Sequence, residues 1–186
     1  MNNYPGKRPI DLVLSGIACT ALAPLMAGIA AAVWLDDGGS PFFAQRRVGA
    51  QRESFTILKF RSMRDQRVTR VGHLLRRTGL DELPQMINVC RGDMSVVGPR
   101  PLTSEDVARL GWNDPRHDWR FQARPGITGL SQLLPARAAR HAARLDRLYI
   151  QRQSPLLDLH LVALSFVANV IGKAAVRKLI HARRLL

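Results

Sequence analysis

Apolar positions dominate the start of the chain and thin out after it. Residues 12–35 read LVLSGIACTALAPLMAGIAAAVWL, 24 consecutive uncharged positions, with Lys7 and Arg8 before them and Asp36 and Asp37 after them. A helix of that length rises about 1.5 Å per residue and can cover a bilayer core of roughly 30 Å. A secretory leader would account for the basic start, but its apolar core runs about 7–15 residues and this one is longer. A straight spanning helix conflicts with charge, because basic residues lie on both sides of it and cytoplasmic retention of Lys and Arg draws both ends to one face. Pro24 resolves the conflict. It lies near the midpoint, lacks an N–H and collides with the Thr20 carbonyl, so the helix bends there, with Thr20 placed to help satisfy the freed backbone groups. A bent, re-entrant helix enters and leaves the same leaflet; a kinked helix that still spans is the alternative.

The body alternates short elements with turns. Residues 42–48 and 54–60 read as strands of a hairpin joined by the five-residue loop Gly49-Ala50-Gln51-Arg52-Glu53. On the second strand Phe55, Ile57, Lys59 and Arg61 share one face by the period of two. Residues 68–77 read as a helix that Gly79 breaks. The next helix should begin near Asp81, because Pro84 is tolerated only in a first turn, and Gly92 ends it. Thr103 and Asp106 resemble a capping box opening a helix to about Leu110. Val97-Gly98-Pro99-Arg100-Pro101 and Arg124-Pro125-Gly126 are stiff turns, each carrying one guanidinium. Arg137, Arg140, Arg144 and Arg147 recur at helical spacing on one face. Residues 156–171 form an apolar run interrupted by Asp158 and His160 and followed by Lys173, Arg177, Lys178, Arg183 and Arg184, a surface-lying pattern rather than a second crossing. The fold class expected is α/β, mostly helical with a small β-hairpin or sheet, preceded by the Pro-kinked re-entrant helix and accompanied by interfacial amphipathic helices.

Composition narrows the function. The chain has 186 residues, 46% of them apolar, and a formal charge of +14. It can therefore bury a core, and one compact domain plus an appendage is the natural count. Cys19 and Cys90 lie in no metal or disulfide spacing and read as free thiols. No P-loop, dinucleotide fingerprint or zinc-protease motif occurs. Of the 28 cations 24 are arginine, whose planar fork grips phosphate oxygens in two places. Compositional bias and attraction to anionic lipid explain most of them, including the stripe from Arg137 to Arg147. Arg100 and Arg124, clamped by prolines, stand apart. Aromatic residues are 6% of the chain and show no stacking array beside the cations, which argues against nucleic acid.

Asp81 and Glu82 are adjacent carboxylates just before Pro84 in an otherwise basic chain. Their ordinary role would be to cap the following helix and favour the positive end of its dipole. The functional alternative is a nucleophilic carboxylate that attacks phosphorus, with its neighbour holding Mg2+, an ion that takes one or two carboxylates plus substrate phosphates. A non-catalytic, membrane-anchored module binding anionic lipid is the competing class, and it would tolerate loss of both carboxylates.

The strings FFAQRRVG, FTILKFRSM, LDELPQMINVCRGDMSVVGPRP and RPGITGLSQL, in this order behind the basic start KRPIDL and its apolar segment, resemble the bacterial sugar transferase family, the small monotopic phosphoglycosyl transferases. The resemblance runs over residues 7–158. It implies a re-entrant membrane helix (residues 1–36) and a catalytic domain (residues 37–186) on the cytoplasmic face of the bacterial inner membrane. It further implies transfer of a sugar 1-phosphate from a UDP-sugar to a polyprenyl phosphate such as undecaprenyl phosphate, with release of UMP, as a first membrane step of a glycoconjugate or exopolysaccharide pathway. By the same resemblance Asp81 is the nucleophile, Glu82 the Mg2+ ligand, and Lys59, Arg61, Arg100 and Arg124 hold phosphates. Asp146 with Tyr149, and Asp158, match further motif positions. Membrane lipids are expected partners, nucleic acid is not, and a homo-oligomer is left open. The chain departs from the family pattern at Gly79, where Ser is usual, and at Leu134-Pro135-Ala136-Arg137, which leaves the sugar unassigned. It lacks the additional N-terminal helices of larger relatives and is expected to be a core-only member.

Overall fold

The computed structural model describes residues 4–134 and 139–171. Arg137 and the basic positions from Lys173 onward lie outside the described residues. The apolar segment forms two helices, α1 (Lys7–Ala21) and α2 (Ala23–Asp37), bent by 61° at Leu22. Pro24 occupies the first turn of α2, where its missing N–H would be unpaired in any case. The break therefore precedes the proline: Pro24 starts the second helix rather than kinking a continuous one. The Thr20 hydroxyl does not serve the break but donates to the Gly16 carbonyl at 2.9 Å. Among the described residues no single helix is long and apolar enough to cross a membrane; only the bent pair together has that length and composition.

Both helices are fastened to one body. α1 buries Lys7, Asp11 and Ser15 along one side and exposes Leu12, Val13, Leu14 and Ile17 on the other. Asp11 accepts hydrogen bonds from the Ser95 hydroxyl (2.7 Å) and the Val96 N–H (3.0 Å). Arg8 donates to the Val89 and Cys90 carbonyls, the C-terminal end of α4 (Gln85–Arg91), where a cation also favours the helix dipole. α2 buries Ile29 and Val33 against Phe60 and Leu75. At its far end Asp37 pairs with Arg61, and Asp36 accepts from the Val71 N–H at 3.1 Å.

Strands β1 (Phe42–Val48) and β2 (Ser54–Phe60) form the expected antiparallel hairpin, with Phe42 opposite Phe60 and Arg47 opposite Phe55. A small ribbon of β3 (Met63–Arg64) and β4 (Arg67–Val68) leads into α3 (Arg70–Thr78), which Thr69 caps by accepting from the Gly72 N–H. After α4 comes β5 (Ser95–Val97), and Thr103 caps α5 (Ser104–Arg109) as the sequence predicts. The short α6 (Asp118–Phe121) precedes β6 (Gly126–Thr128), α7 (Leu130–Leu133), α8 (Ala139–Arg152) and α9 (Pro155–Ile171).

Strands β5 and β6 pair in parallel at the centre of the body, and the sequence pattern does not show it. Each has three residues, too few for alternation to register, and β5 is buried throughout. A β-carbon on Gly126 would lie 2.0 Å from the Gly98 nitrogen, so the two Pro/Gly turns are shaped first by this close backbone crossing. Around the pair lies the main core, with Ile57, Val89, Met94, Leu130, Leu133, Tyr149 and Leu161. A separate cluster of Val107, Trp112 and Phe121 holds α5 and α6 against the turn end of the hairpin.

Candidate active site

Two turns and a strand converge on Asp81. Gly79 ends α3 at φ 73°, and a β-carbon there would lie 2.6 Å from the Asn169 amide nitrogen, so glycine serves both the left-handed turn and the approach of α9. A 3-10 turn, Leu80–Glu82, then presents both carboxylates before Pro84 opens α4. The helix expected to start near Asp81 therefore starts four residues later. The first-turn N–H groups of this region go to backbone, Met86 to the Leu83 carbonyl and Ile87 to that of Pro84. No side chain caps α4, so neither carboxylate is used in the capping role its position suggested.

The turn is held at the right depth by Asn88. Its side chain accepts from the Leu58 N–H (3.0 Å) and donates to the Thr56 carbonyl (2.7 Å), locking α4 to β2. Lys59, on that strand, thereby reaches Glu82, with Nζ 2.7 Å from Oε1. Burial pushes the Asp81 carboxyl above its ordinary value, and the neighbouring Glu82 charge pushes it further; Lys59 and Arg76 pull the other way. The carboxylates open into a cavity of about 550 Å³ that Lys59, Arg76, Arg100, Thr128, Gln132 and Asn169 help to line. A narrow cleft continues from it past Arg47, Gln85 and Arg100. Burial and, after it, the Arg100 charge lower the Arg47 pKa.

Of the site residues read from the sequence, the structure brings Asp81, Glu82, Lys59 and Arg100 together and leaves three elsewhere. Arg61 pairs with Asp37 at the end of α2, beyond the last residue of β2. Arg124 donates to the Gly92 carbonyl at 2.8 Å, beside Arg8 and Asp11, and so caps α4 from behind the site. Asp146 forms a buried ion pair with Arg120 at 2.8 Å, and Arg120 donates to the Arg100 carbonyl at 2.6 Å. Asp146 thus bears on the site through Arg120, by fixing the backbone of Arg100. Tyr149 and Asp158 hydrogen-bond to each other at 2.7 Å inside the core.

Arg47, Arg76, Gln132 and Asn169 were missed. Arg76 is one of several basic residues in an ordinary amphipathic helix, and Asn169 is a lone amide in an apolar run, so nothing local marks either. Arg47 and Gln132 lie within the FFAQRRVG and RPGITGLSQL strings, which were the available signal. Among the described residues no group of three or more His, Cys, Asp or Glu side chains gathers as a metal site, so the carboxylate pair stands by itself.

Anionic acids set among lysine and arginine, in a cavity large enough for a small ligand, form a setting for reactions of phosphate groups. The model of the bacterial sugar transferase family matches residues 2–172. Over 200 residues the chain is 35% identical to exopolysaccharide production protein ExoY of Sinorhizobium fredii, a match covering 91% of this chain and 87% of that protein. It is 38% identical over 177 residues to UDP-glucose:undecaprenyl-phosphate glucose-1-phosphate transferase of Caulobacter vibrioides, covering 84% of this chain and 66% of the relative. It is 37% identical over 175 residues to UDP-N-acetylgalactosamine-undecaprenyl-phosphate N-acetylgalactosaminephosphotransferase of Aeromonas hydrophila, covering 84% of this chain and 41% of the relative. The chain belongs to the bacterial sugar transferase family and is one of its enzymes.

Proposed function

We propose that this protein transfers a sugar 1-phosphate from a UDP-sugar to undecaprenyl phosphate or a similar polyprenyl phosphate, through a covalent intermediate on Asp81. The observation that carries the reading is the carboxylate pair itself: partly buried, unused by the helix it precedes, and facing a cationic cavity. Asp81 attacks the phosphorus that bears the sugar; the new acyl O–P bond forms as the bond to the bridging oxygen breaks, and UMP leaves with that oxygen and its electron pair. The lipid phosphate then attacks the same phosphorus, the acyl O–P bond breaks, and the Asp81 carboxylate returns. Arg100, Arg76 and Lys59 balance the phosphate charge during both displacements. Lys59 also holds Glu82 in place beside the nucleophile.

The residues present suit Mg2+. Asp81 and Glu82 are adjacent, Lys59 contacts one Glu82 oxygen, and a cation beside the pair relieves the repulsion that raises the Asp81 pKa. Glu82 would be the ligand, and the ion would neutralise the charge between an anionic nucleophile and an anionic diphosphate.

The acceptor is a lipid, and the bent helix pair supports a site at the membrane surface. Both ends of the pair are tied to the same body, Lys7 to Asp158 and Asp37 to Arg61, which favours a re-entrant path over a crossing and a body on the cytoplasmic side. Leu156, Leu159 and Phe166 of α9 are exposed apolar side chains suited to the interface. The relatives are named for different sugars, so the donor is left at the level of a UDP-sugar.

The test is UMP release by nanodisc-held protein with Mg2+ and a panel of UDP-sugars, with and without undecaprenyl phosphate. Without acceptor, one equivalent of UMP should appear and the peptide containing Asp81 should gain the mass of the sugar phosphate. Turnover only when both substrates are present, with no modified peptide, would favour direct transfer and overturn the covalent step.

A further inference from the structure

A second cavity, of about 670 Å³, shares no residue with the Asp81 site. It lies between α8 and the segment joining α5 to α6, and it is lined by Trp112, His117, Trp119, Arg140, Arg144 and Arg147 together with small apolar residues. No carboxylate lines it. None of the three arginines forms an ion pair among the described residues. The acids that could neutralise them are engaged elsewhere, Asp114 by Arg116, Asp118 by Arg52 and Asp146 by Arg120. Like charges at helical spacing repel, and an anion on this face would offset that repulsion.

The aromatic groups add a second feature. The Arg147 guanidinium stacks over the Trp119 ring at 4.7 Å, and His117 stacks on Trp112 at 5.9 Å, giving flat walls beside the cationic face. The sequence showed no aromatic array beside the arginines because Trp112 and Trp119 belong to a different segment from the stripe; the fold assembles one. The volume lies within the roughly 300–1,000 Å³ of small-ligand pockets.

The flat walls select a ligand that carries a ring beside its phosphates over a bare lipid headgroup.

We propose that this groove is a second, non-catalytic site for a nucleoside diphosphate, its phosphates on Arg140, Arg144 and Arg147 and its base against the His117 and Trp119 walls. The site does not depend on the reaction assigned to Asp81. The chain's three tryptophans are Trp34, Trp112 and Trp119, so in a Trp34→Phe background the only indoles left are the two that line the groove. Titrating that full-length variant in nanodiscs with UDP should change indole fluorescence saturably. Inorganic pyrophosphate should bind at least about tenfold more weakly, and the exposed double change Arg140→Gln/Arg144→Gln should weaken UDP about tenfold or more while leaving the melting curve and UMP release unchanged. Absence of saturation at millimolar UDP overturns the site. So does equal affinity in the double variant, and so does equal binding of pyrophosphate, which needs no ring.

Discussion

Lys7 Nζ lies 2.6 Å from Asp158 Oδ2, an ion pair between residues 151 positions apart whose side chains are almost wholly buried. Asp158 also accepts from Tyr149 at 2.7 Å and from Tyr4 at 3.0 Å, and burial with the Asp158 charge raises the pKa of both phenols, so they remain donors. The network joins the first turn of α1 to α8 and α9. Its two members are not equivalent. Lys7→Met leaves Asp158 with two tyrosine donors, whereas Asp158→Leu leaves a buried ammonium without its acceptor, beside the Tyr4 and Tyr149 rings. Removing one partner of a buried pair costs about 3–5 kcal/mol, and the Asp158 change should fall at the upper end. Thermal unfolding of both variants and of Lys7→Met/Asp158→Leu tests this; the double variant should recover part of the loss, and equal single losses would contradict the asymmetry.

The raised Asp81 pKa has consequences of opposite sign for activity and stability. Between the unfolded and folded values the native state binds more protons, so stability contributed by this group is present at low pH and falls as pH rises through the folded value. Asp81→Asn should therefore raise Tm at neutral pH in the absence of Mg2+, by about 2–4 °C per kcal/mol of strain removed at this chain length, and the gain should vanish in acid. Turnover needs the ionised form, so the acid limb of the pH–rate profile should lie above the usual carboxylate range. The same variant should lose roughly 10³-fold or more in UMP release. A variant that melts lower at neutral pH would mean that burial does not disfavour the charge.

Lys59 should matter in two ways that Mg2+ separates. Lys59→Met removes a cation from the cavity and frees Glu82, so turnover should fall by roughly 10²-fold. Glu82→Gln should show a raised Mg2+ requirement for the remaining activity, whereas Lys59→Met should show a lowered or unchanged one, since it removes a competitor for the Glu82 oxygen. Mg2+ titrations of UMP release distinguish the two.

Asp146 is expected to act on stability before chemistry. Its partner Arg120 is buried and holds the Arg100 carbonyl, so Asp146→Asn leaves an uncompensated guanidinium and should cost about 3–5 kcal/mol. In the fraction that stays folded, KM for the UDP-sugar should rise through a displaced Arg100 while the acid limb of the pH profile stays in place. A shifted limb would make Asp146 a member of the site.

The hairpin, α3, α5 and the C-terminal end of α4 were legible because each depends on neighbours in sequence: alternation in β2, the Thr69 and Thr103 caps, and the left-handed glycines Gly79 and Gly92. The parallel pair of β5 and β6 was not, since its partners are about thirty residues apart and too short to show a period. Among cations, chemistry type was visible but address was not. Lys59 and Arg61 share a strand face by the period of two, yet β2 ends at Phe60, and Arg61 turns to Asp37 while Lys59 reaches Glu82.

By itself the sequence determined the bent apolar segment, the excess of arginine, the unusual Asp81–Glu82 pair and the motif strings that mark the family. These are properties of composition and local order, and they survive in an unfolded chain. Only the tertiary structure decided that Asp11, Lys7 and Asp158 are internal supports, that Asp146 works through Arg120, that Arg124 stands behind the site, and that two tryptophans meet an arginine stripe. Each depends on which buried group reaches a partner first, and long-range packing of α1, α8 and α9 sets those distances.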